Sequence, residues 1–279
     1  MKTLQLAGND ISKGNLILVN PSHPLPEERQ GKRLTFLNSS FSHDEISASG
    51  PVPEEGGKTA EPRKAAIVAM ESQAAEMLLE VMVQLNAGDK ILPVSGYRTL
   101  QEQRAIYADS LRENGAEYTG KYVAVPGCSE HQTGLAIDLA ENREEIDFIC
   151  PDFPDTGICR RFRQLSVPYG FIERYPAGRE QITQIACEPW HFRYVGYPHS
   201  EILEEMDDTL EEYIQYLKCF CPDHPLGYQC SGYEYEIFYV PVPLDPGQKA
   251  VVEIPDRVSC QVSGNNEDGV VITLRRDVV

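Results

Sequence analysis

Apolar residues are spread unevenly along the chain, and the spacing within each patch predicts an element. Residues 16–19, Leu-Ile-Leu-Val, form a short apolar run ahead of Pro21 and suit a strand over 15–20. Residues 63–87 are rich in Ala, Met, Leu, Val and Glu without Gly or Pro, and Gly88 stands just beyond. This predicts one long buried helix with Gly88 as its cap, and with Met70, Met77 and Met82 as core filler. Between these patches, residues 38–62 are polar and dense in Ser, Gly, Pro and Glu, which predicts an exposed crossing loop. His43 has no companions there and reads as a solvated side chain.

A short strand over 91–95 leads to the corner Gly96-Tyr97-Arg98. Thr99 and Glu102 have capping-box spacing, so a helix starts there and runs to about 113, stopped by Asn114-Gly115. Gln103 then lies one turn inside that helix, close to Arg98. Residues 135–139 alternate weakly and read as a central strand presenting Asp138. Residues 157–168 read as a helix, 182–187 and 190–196 as strands, and 199–218 as one acidic surface helix. Beyond Pro222 the period changes to two. Segments 233–240, 249–254, 258–262 and 270–274 are β-rich and parted by turn sequences such as Asp245-Pro246-Gly247. The pattern predicts an α+β fold, a mostly antiparallel sheet flanked by helices. It also predicts a catalytic domain over 1–218 and a small C-terminal β extension over 219–279.

A chain of 279 residues can bury a core without staples, and 41% hydrophobic with 24% charged residues is ordinary for a globular protein. The net charge of −18, with no basic block, argues against nucleic acid or anionic membrane as a partner. An anionic substrate must therefore be held by local cations. No run is long enough for a transmembrane helix and the N-terminus has no signal-peptide pattern, which points to the cytoplasm. The eight cysteines then read as free thiols. Cys219, Cys221, His224 and Cys230 have the ligand types of a structural zinc site, but their spacing fits no common module and a loop of free thiols is the simpler reading.

The candidate chemistry lies in two stretches, 129–138 (Ser-Glu-His-Gln-Thr-Gly-Leu-Ala-Ile-Asp) and 188–191 (Glu-Pro-Trp-His). His131, Asp138 and His191 offer the two imidazoles and one carboxylate that hold a hydrolytic zinc while leaving a position open for water. Glu188 is placed to act as general base, against the alternative that it only orients His191. Pro189 removes an N–H between them, so this unit is a strand edge or turn and not a helical zinc motif. Cys128 invites a nucleophile reading, but the nearest imidazole, His131, is better used on the metal. Tyr97 reads as structural.

These residues carry a resemblance. Ser129-x-His131-x2-Gly134-x-Ala136-x-Asp138, followed by Glu188-Pro189-Trp190-His191, is similar to the VanY-type D,D-carboxypeptidases, relatives of the VanX and VanXY dipeptidases. Ser95-Gly96-Tyr97-Arg98 with Gln103 resembles a third motif of that family, and Gly170-Phe171 with Arg174-Tyr175-Pro176 resembles its approach to the last. The similarity runs over about 15–217 and implies a Hedgehog/D,D-peptidase-like fold with one Zn²⁺ per chain. It implies release of the C-terminal D-Ala from peptidoglycan precursors or muropeptide stems. It further implies that Arg98 acts near the reacting carbonyl or the substrate carboxylate, and that Gln103 and Ser129 bind the terminal residue. Trp190, by its position between Glu188 and His191, reads as a pocket wall, against the alternative of a core anchor. An L,D-carboxypeptidase, a D-Ala-D-Ala dipeptidase, and a non-catalytic zinc-containing wall-peptide module are the competing expectations.

Overall fold

The computed structural model describes residues 1–26, 33–38, 67–245 and 247–278. Most of the loop expected over 38–62, with His43, therefore lies outside the described residues, as do 63–66. In chain order, strand β1 (Lys2–Leu6) comes first, and β2 (Leu34–Leu37) pairs antiparallel with β3 (Val68–Glu71). Helix α1 (Ser72–Leu85) follows directly. The expected helix is thus shorter than its composition suggests, because 68–71 are held in a ladder with 34–37. Glu71 marks the change: its Oε2 accepts from the backbone N–H of Gln73 at 2.9 Å and Ala74 at 3.2 Å. At the other end Asn86, in the left-handed conformation, is the cap in place of Gly88. Met70 and Met82 are buried as expected.

After β4 (Ile91–Ser95), helix α2 (Leu100–Tyr122) begins with the predicted capping box, Glu102 accepting from Thr99 N–H at 2.6 Å. It breaks at Gly115 (φ 80°, ψ 172°), where the sequence places a stop, and then resumes. A buried hydrogen bond between Ser110 and Thr119 hydroxyls, 2.8 Å, ties the two halves together. Strand β5 (Ala136–Glu141), helix α3 (Gly157–Ser166) and strand β6 (Phe171–Glu173) come next. Residues 182–187 are not a strand. Helix α4 (Glu180–Thr183) ends at Gln184 in the left-handed region, and Thr183 Oγ1 bonds the Arg179 and Ile185 carbonyls, closing the turn on itself. Strand β7 (His191–Tyr194) completes a four-stranded antiparallel sheet in the order β4-β5-β7-β6.

This sheet shares a core with α1 and α3, in which Phe153, Phe162 and Phe192 pack edge to face with ring centroids 4.8–5.7 Å apart. The expected helix over 199–218 is two, α5 (His199–Met206) and α6 (Leu210–Leu217). Asp207 turns left-handed between them, and a second capping box, Thr209 with Glu212, restarts the helix. Tyr213, Ile214 and Leu217 are buried, so α6 is a core element as well as a surface one. Among the described residues no helix is long and apolar enough to cross a membrane.

The C-terminal strands are β8 (Leu226–Cys230), β9 (Tyr233–Pro241), β10 (Ala250–Ile254), β11 (Ser259–Gly264) and β12 (Gly269–Asp277). They form a second antiparallel sheet, β11-β12-β9-β8, while β10 pairs with β1. One face of that sheet packs with Leu16, Leu18, α5 and α6. The run at 16–19 is buried as its composition predicts, but it is not a strand. Side chains and loops serve its backbone instead. Arg193 donates to the carbonyls of Asn15 and Ile17 at 2.9 Å each, Ser263 Oγ accepts from Leu16 N–H, and Asn266 donates to the Leu18 carbonyl.

His199 joins three of these elements, with Nδ1 2.8 Å from the Tyr213 hydroxyl and Nε2 2.9 Å from Thr273 Oγ1. Burial lowers its pKa to about 3 from an ordinary 6.5. The unfolded chain binds that proton at higher pH than the folded one, so stability is complete above pH 6.5 and falls as the pH drops toward 3. Denaturant unfolding of metal-free protein should lose about 2 kcal/mol from this group between pH 7 and pH 5. His199→Gln should show a pH dependence smaller by that amount; equal slopes would mean the imidazole is not held neutral.

Candidate active site

Three elements bring the expected ligands together. Asp138 on β5 and His191 on β7 are directly opposite in the antiparallel register, and Ser95 of β4 stands opposite Asp138 on its other side. His131 lies on a 3₁₀ turn over Glu130–Thr133, which ends at Gly134 with φ 78°, a conformation that suits glycine. One ligand atom from each of His131, Asp138 and His191 lies within 4.8 Å of the others, and all three residues are buried. Among the described residues no other group of His, Cys, Asp and Glu could hold a metal. Cys219, Cys221, His224 and Cys230 are therefore not gathered into a site. Instead Cys221 and His224 close a small turn through their backbones.

The hydrogen bonds fix how each candidate ligand presents itself. His131 Nδ1 lies 2.7 Å from the Gly96 carbonyl, which can only accept, so the proton is on Nδ1 and Nε2 is bare. That Nε2 faces Asp138 Oδ2 at 3.1 Å. A side chain at Gly96 would bring Cβ to 2.3 Å from the Ala69 carbonyl oxygen, so glycine is needed for this close approach. His191 Nδ1 lies 2.9 Å from Asp138 Oδ1. Two imidazole nitrogens and a carboxylate converging in this way form a donor set that fits a divalent metal once His191 Nδ1 gives up its proton.

Electrostatics agree with that reading. Burial would protonate Asp138, but His131 and His191 outweigh it and hold its pKa well below the carboxylate range. Burial lowers the pKa of His131, aided by the nearby Arg98. For His191 burial is overcome by its hydrogen bond to Asp138 and by the nearby Glu130 and Glu188 carboxylates, which raise its pKa to about 9. A bound cation would displace that proton at Nδ1. Glu188 lies on the same side, its carboxylate 3.7 Å from His191 Nδ1. Its pKa is raised to about 8, first by burial and then by Asp138 and Glu130 against the opposing pull of His191 and Arg98.

Arg98 is held at three points. Nε donates to Ser95 Oγ at 2.9 Å, Nη1 to Gln103 Oε1 at 3.3 Å, and Nη2 to Asp138 Oδ2 at 3.2 Å. Gln103 is fully buried and its amide N–H reaches the Ala124 carbonyl at 2.8 Å. Ser129 precedes the 3₁₀ turn without capping it by its hydroxyl. Trp190 is largely buried in the main core and also lines a cavity of about 580 Å³ with Pro189, Cys150 and Phe153. Cys128 is half-buried and burial raises its pKa, the opposite of what a thiolate nucleophile needs.

The sequence reading missed a second layer. Glu130 is fully buried and its Oε1 accepts from Arg174 Nε at 2.8 Å and Arg193 Nη1 at 2.6 Å. Arg174 also grips Glu211 of α6 with both Nη groups, at 2.9 and 2.6 Å. Tyr175 tilts over the His191 ring at 4.9 Å between centroids. The hint was present in Ser129-Glu130-His131, but a charged residue beside a ligand reads as solvated unless its two arginines, 44 and 63 positions away, are seen.

Comparison with known proteins gives the same picture. Residues 68–197 match the VanY family, described as D-alanyl-D-alanine carboxypeptidase. A D-alanyl-D-alanine carboxypeptidase of Enterococcus faecium is 31% identical over 267 residues, covering 95% of this chain and 76% of that protein. The bifunctional D-Ala-D-Ala dipeptidase and carboxypeptidase VanXYC of Enterococcus gallinarum is 54% identical over 125 residues, 44% of this chain and 66% of that protein. The crystal structure of the D,D-dipeptidase VanXYg, solved with a D-Ala-D-Ala phosphinate analogue, superposes with a TM-score of 0.84 at 43% identity over 99% of both chains. With its expected ligands gathered on an antiparallel sheet and relatives matching nearly its whole length, the chain belongs to the VanY-type D-alanyl-D-alanine carboxypeptidase family of metallopeptidases.

Proposed function

We propose that the protein is a zinc-dependent D-alanyl-D-alanine carboxypeptidase that removes the terminal D-Ala from peptidoglycan precursor or muropeptide stems. The observation that carries this reading is the convergence of His131, Asp138 and His191, with the Glu188 carboxyl 3.7 Å from a ligand nitrogen, in a chain of this family. Two imidazoles and one carboxylate favour zinc over magnesium or calcium, which prefer oxygen ligands. His131 through Nε2, Asp138 through a carboxylate oxygen and His191 through Nδ1 would hold the ion. When bound it supplies Lewis acidity, making water nucleophilic near neutral pH and polarising the scissile carbonyl.

Glu188 accepts the proton of the attacking water and returns it to the leaving amine; burial keeps the group near the middle of the pH range where one carboxyl can serve both steps. Arg98 uses three of its five N–H donors within the site, so two remain for the carbonyl oxygen or the substrate carboxylate. Gln103 holds Arg98 in that pose and, with Ser129, faces the terminal residue, while Trp190 forms a wall. A non-catalytic wall-peptide module would have no use for Glu188 and Arg98 together. The eight cysteines form no disulfide, which suits a reducing compartment and favours cytoplasmic precursors as substrate. A dipeptidase is the second reading, favoured by the chain-long similarity to VanXYg. Product analysis with pentapeptide, tetrapeptide and free D-Ala-D-Ala separates these, and cleavage of none of them would overturn the proposal.

Metal analysis should find one zinc per chain, with activity lost to chelators and restored by Zn²⁺. Active protein free of metal would sink the assignment. Glu188→Ala should keep the zinc and lose turnover by roughly 10²–10⁴-fold, whereas His191→Ala should lose the zinc itself. A tenfold effect or less at Glu188 would demote it to orienting His191.

The protein's charge of −18 repels an anionic peptide, so the site must read a free terminal carboxylate through local donors. Each charge-assisted hydrogen bond contributes about 1.5–3 kcal/mol, so amidating a pentapeptide terminus should cost roughly tenfold to a hundredfold or more in kcat/KM. Equal cleavage of acid and amide would leave a peptidase of another polarity. If Arg98→Ala discriminates as well as wild type, Arg98 serves the oxyanion and the carboxylate is read elsewhere.

A further inference from the structure

Among the described residues only two buried side-chain polar atoms lack a hydrogen-bond partner, Glu130 Oε2 and His191 Nε2. They face each other at 3.5 Å. Both arginines that neutralise Glu130 converge on its other oxygen, Oε1, and leave Oε2 turned to the imidazole. The charges close on themselves: Glu130 and Glu211 balance Arg174 and Arg193, and every one of these groups is largely or fully buried. Such a cluster is costly to assemble and strongly resists the loss of one member.

We infer that Glu130 is a positioning residue. It holds the His191 ring by its Nε2–H, which leaves Nδ1 as the ligand atom and sets the site's affinity for its metal. The inference rests on the metal-site reading above, though not on the identity of the peptide substrate. A ligating histidine held by a carboxylate at its second nitrogen has a fixed tautomer, a fixed ring plane and a more basic ligand nitrogen. His131 has a neutral counterpart in the Gly96 carbonyl, so the two imidazoles are held by groups of different charge. Glutamine fits the space but cannot replace Glu130. It has one acceptor oxygen where the carboxylate has two, and so must abandon either the arginines or the imidazole.

The test is zinc affinity, measured on the full chain by competition with a chromophoric chelator, beside the melting temperature of the metal-free protein. Glu130→Gln should bind zinc about 10- to 100-fold more weakly than wild type. Glu130→Asp keeps the charge for the arginines but withdraws the carboxylate from His191, and should weaken binding in the same direction if the glutamine variant fails to fold. Glu211→Gln removes the outer carboxylate of the same cluster. It should lower the melting temperature while leaving zinc affinity within threefold of wild type. Binding within threefold of wild type by folded Glu130 variants would overturn the proposal, as would an equal loss of affinity in Glu211→Gln, which would make the effect one of stability alone. His191→Ala is the control: if it binds zinc as wild type does, the metal-site reading has failed and this inference falls with it. Loss of zinc in that control, with weakened Glu130 variants, supports the positioning role even if no peptide is cleaved.

Discussion

Asp138 and His191 stand opposite each other across two hydrogen-bonded strands, and the site is built outward from that pairing. Side-chain direction alternates along a strand, so a slip of one residue in register would turn one of the pair to the other face. The register is fixed on both flanks. Ile137 pairs with Phe192 and Ala136 with Arg193, and all four are fully or nearly fully buried. The register of a buried sheet therefore delivers a carboxylate and an imidazole to one point.

Such a site collects charge in a place that excludes water. Glu130, Asp138, Arg174, Glu188, His131, His191 and Arg193 are all at least nine-tenths buried. Burial opposes ionisation of each carboxylate, yet Asp138 and Glu130 are pushed well below the ordinary range by the cations around them, while Glu188 is raised to about 8. The difference lies in the neighbours. Glu130 has two arginines within 2.8 Å, whereas Glu188 has only a looser approach to His191 at 3.7 Å. One carboxylate is thereby fixed as an anion, and another is left able to exchange a proton.

The same network links the site to distant parts of the chain. Arg193 follows His191 by two residues on β7, and it satisfies the carbonyls of Asn15 and Ile17 as well as Glu130. Arg174 joins Glu130 to Glu211 on α6, whose other face packs against the C-terminal sheet. Leu16 and Leu18 sit in that second core, while Ile17 and Val19 sit in the first. The N-terminal run is thus shared between two cores. Alternating burial accounts for its unbroken apolar sequence, and service by side chains accounts for the absence of a ladder.

Local features were legible wherever the sequence carried its own stop or start. The capping box at Thr99, the break at Gly115, and the alternating strands after Pro222 depend on near neighbours, and each stands where its residues put it. The gathering of His131, Asp138 and His191, with Glu188 beside them, was legible because such chemistry restricts those positions to a few residue types in a fixed order. Less was legible where one pattern serves two structures. Residues 63–87 read as one helix, because the partner strand that claims 68–71 lies at 34–37. The split between α5 and α6 rests on Asp207 accepting a left-handed backbone, which composition does not announce. Glu130, Arg174 and Arg193 look individually like surface charges in an acidic chain. Only the tertiary structure, by removing them from water together, makes them partners, since buried charges must find each other and nothing in their spacing says which will.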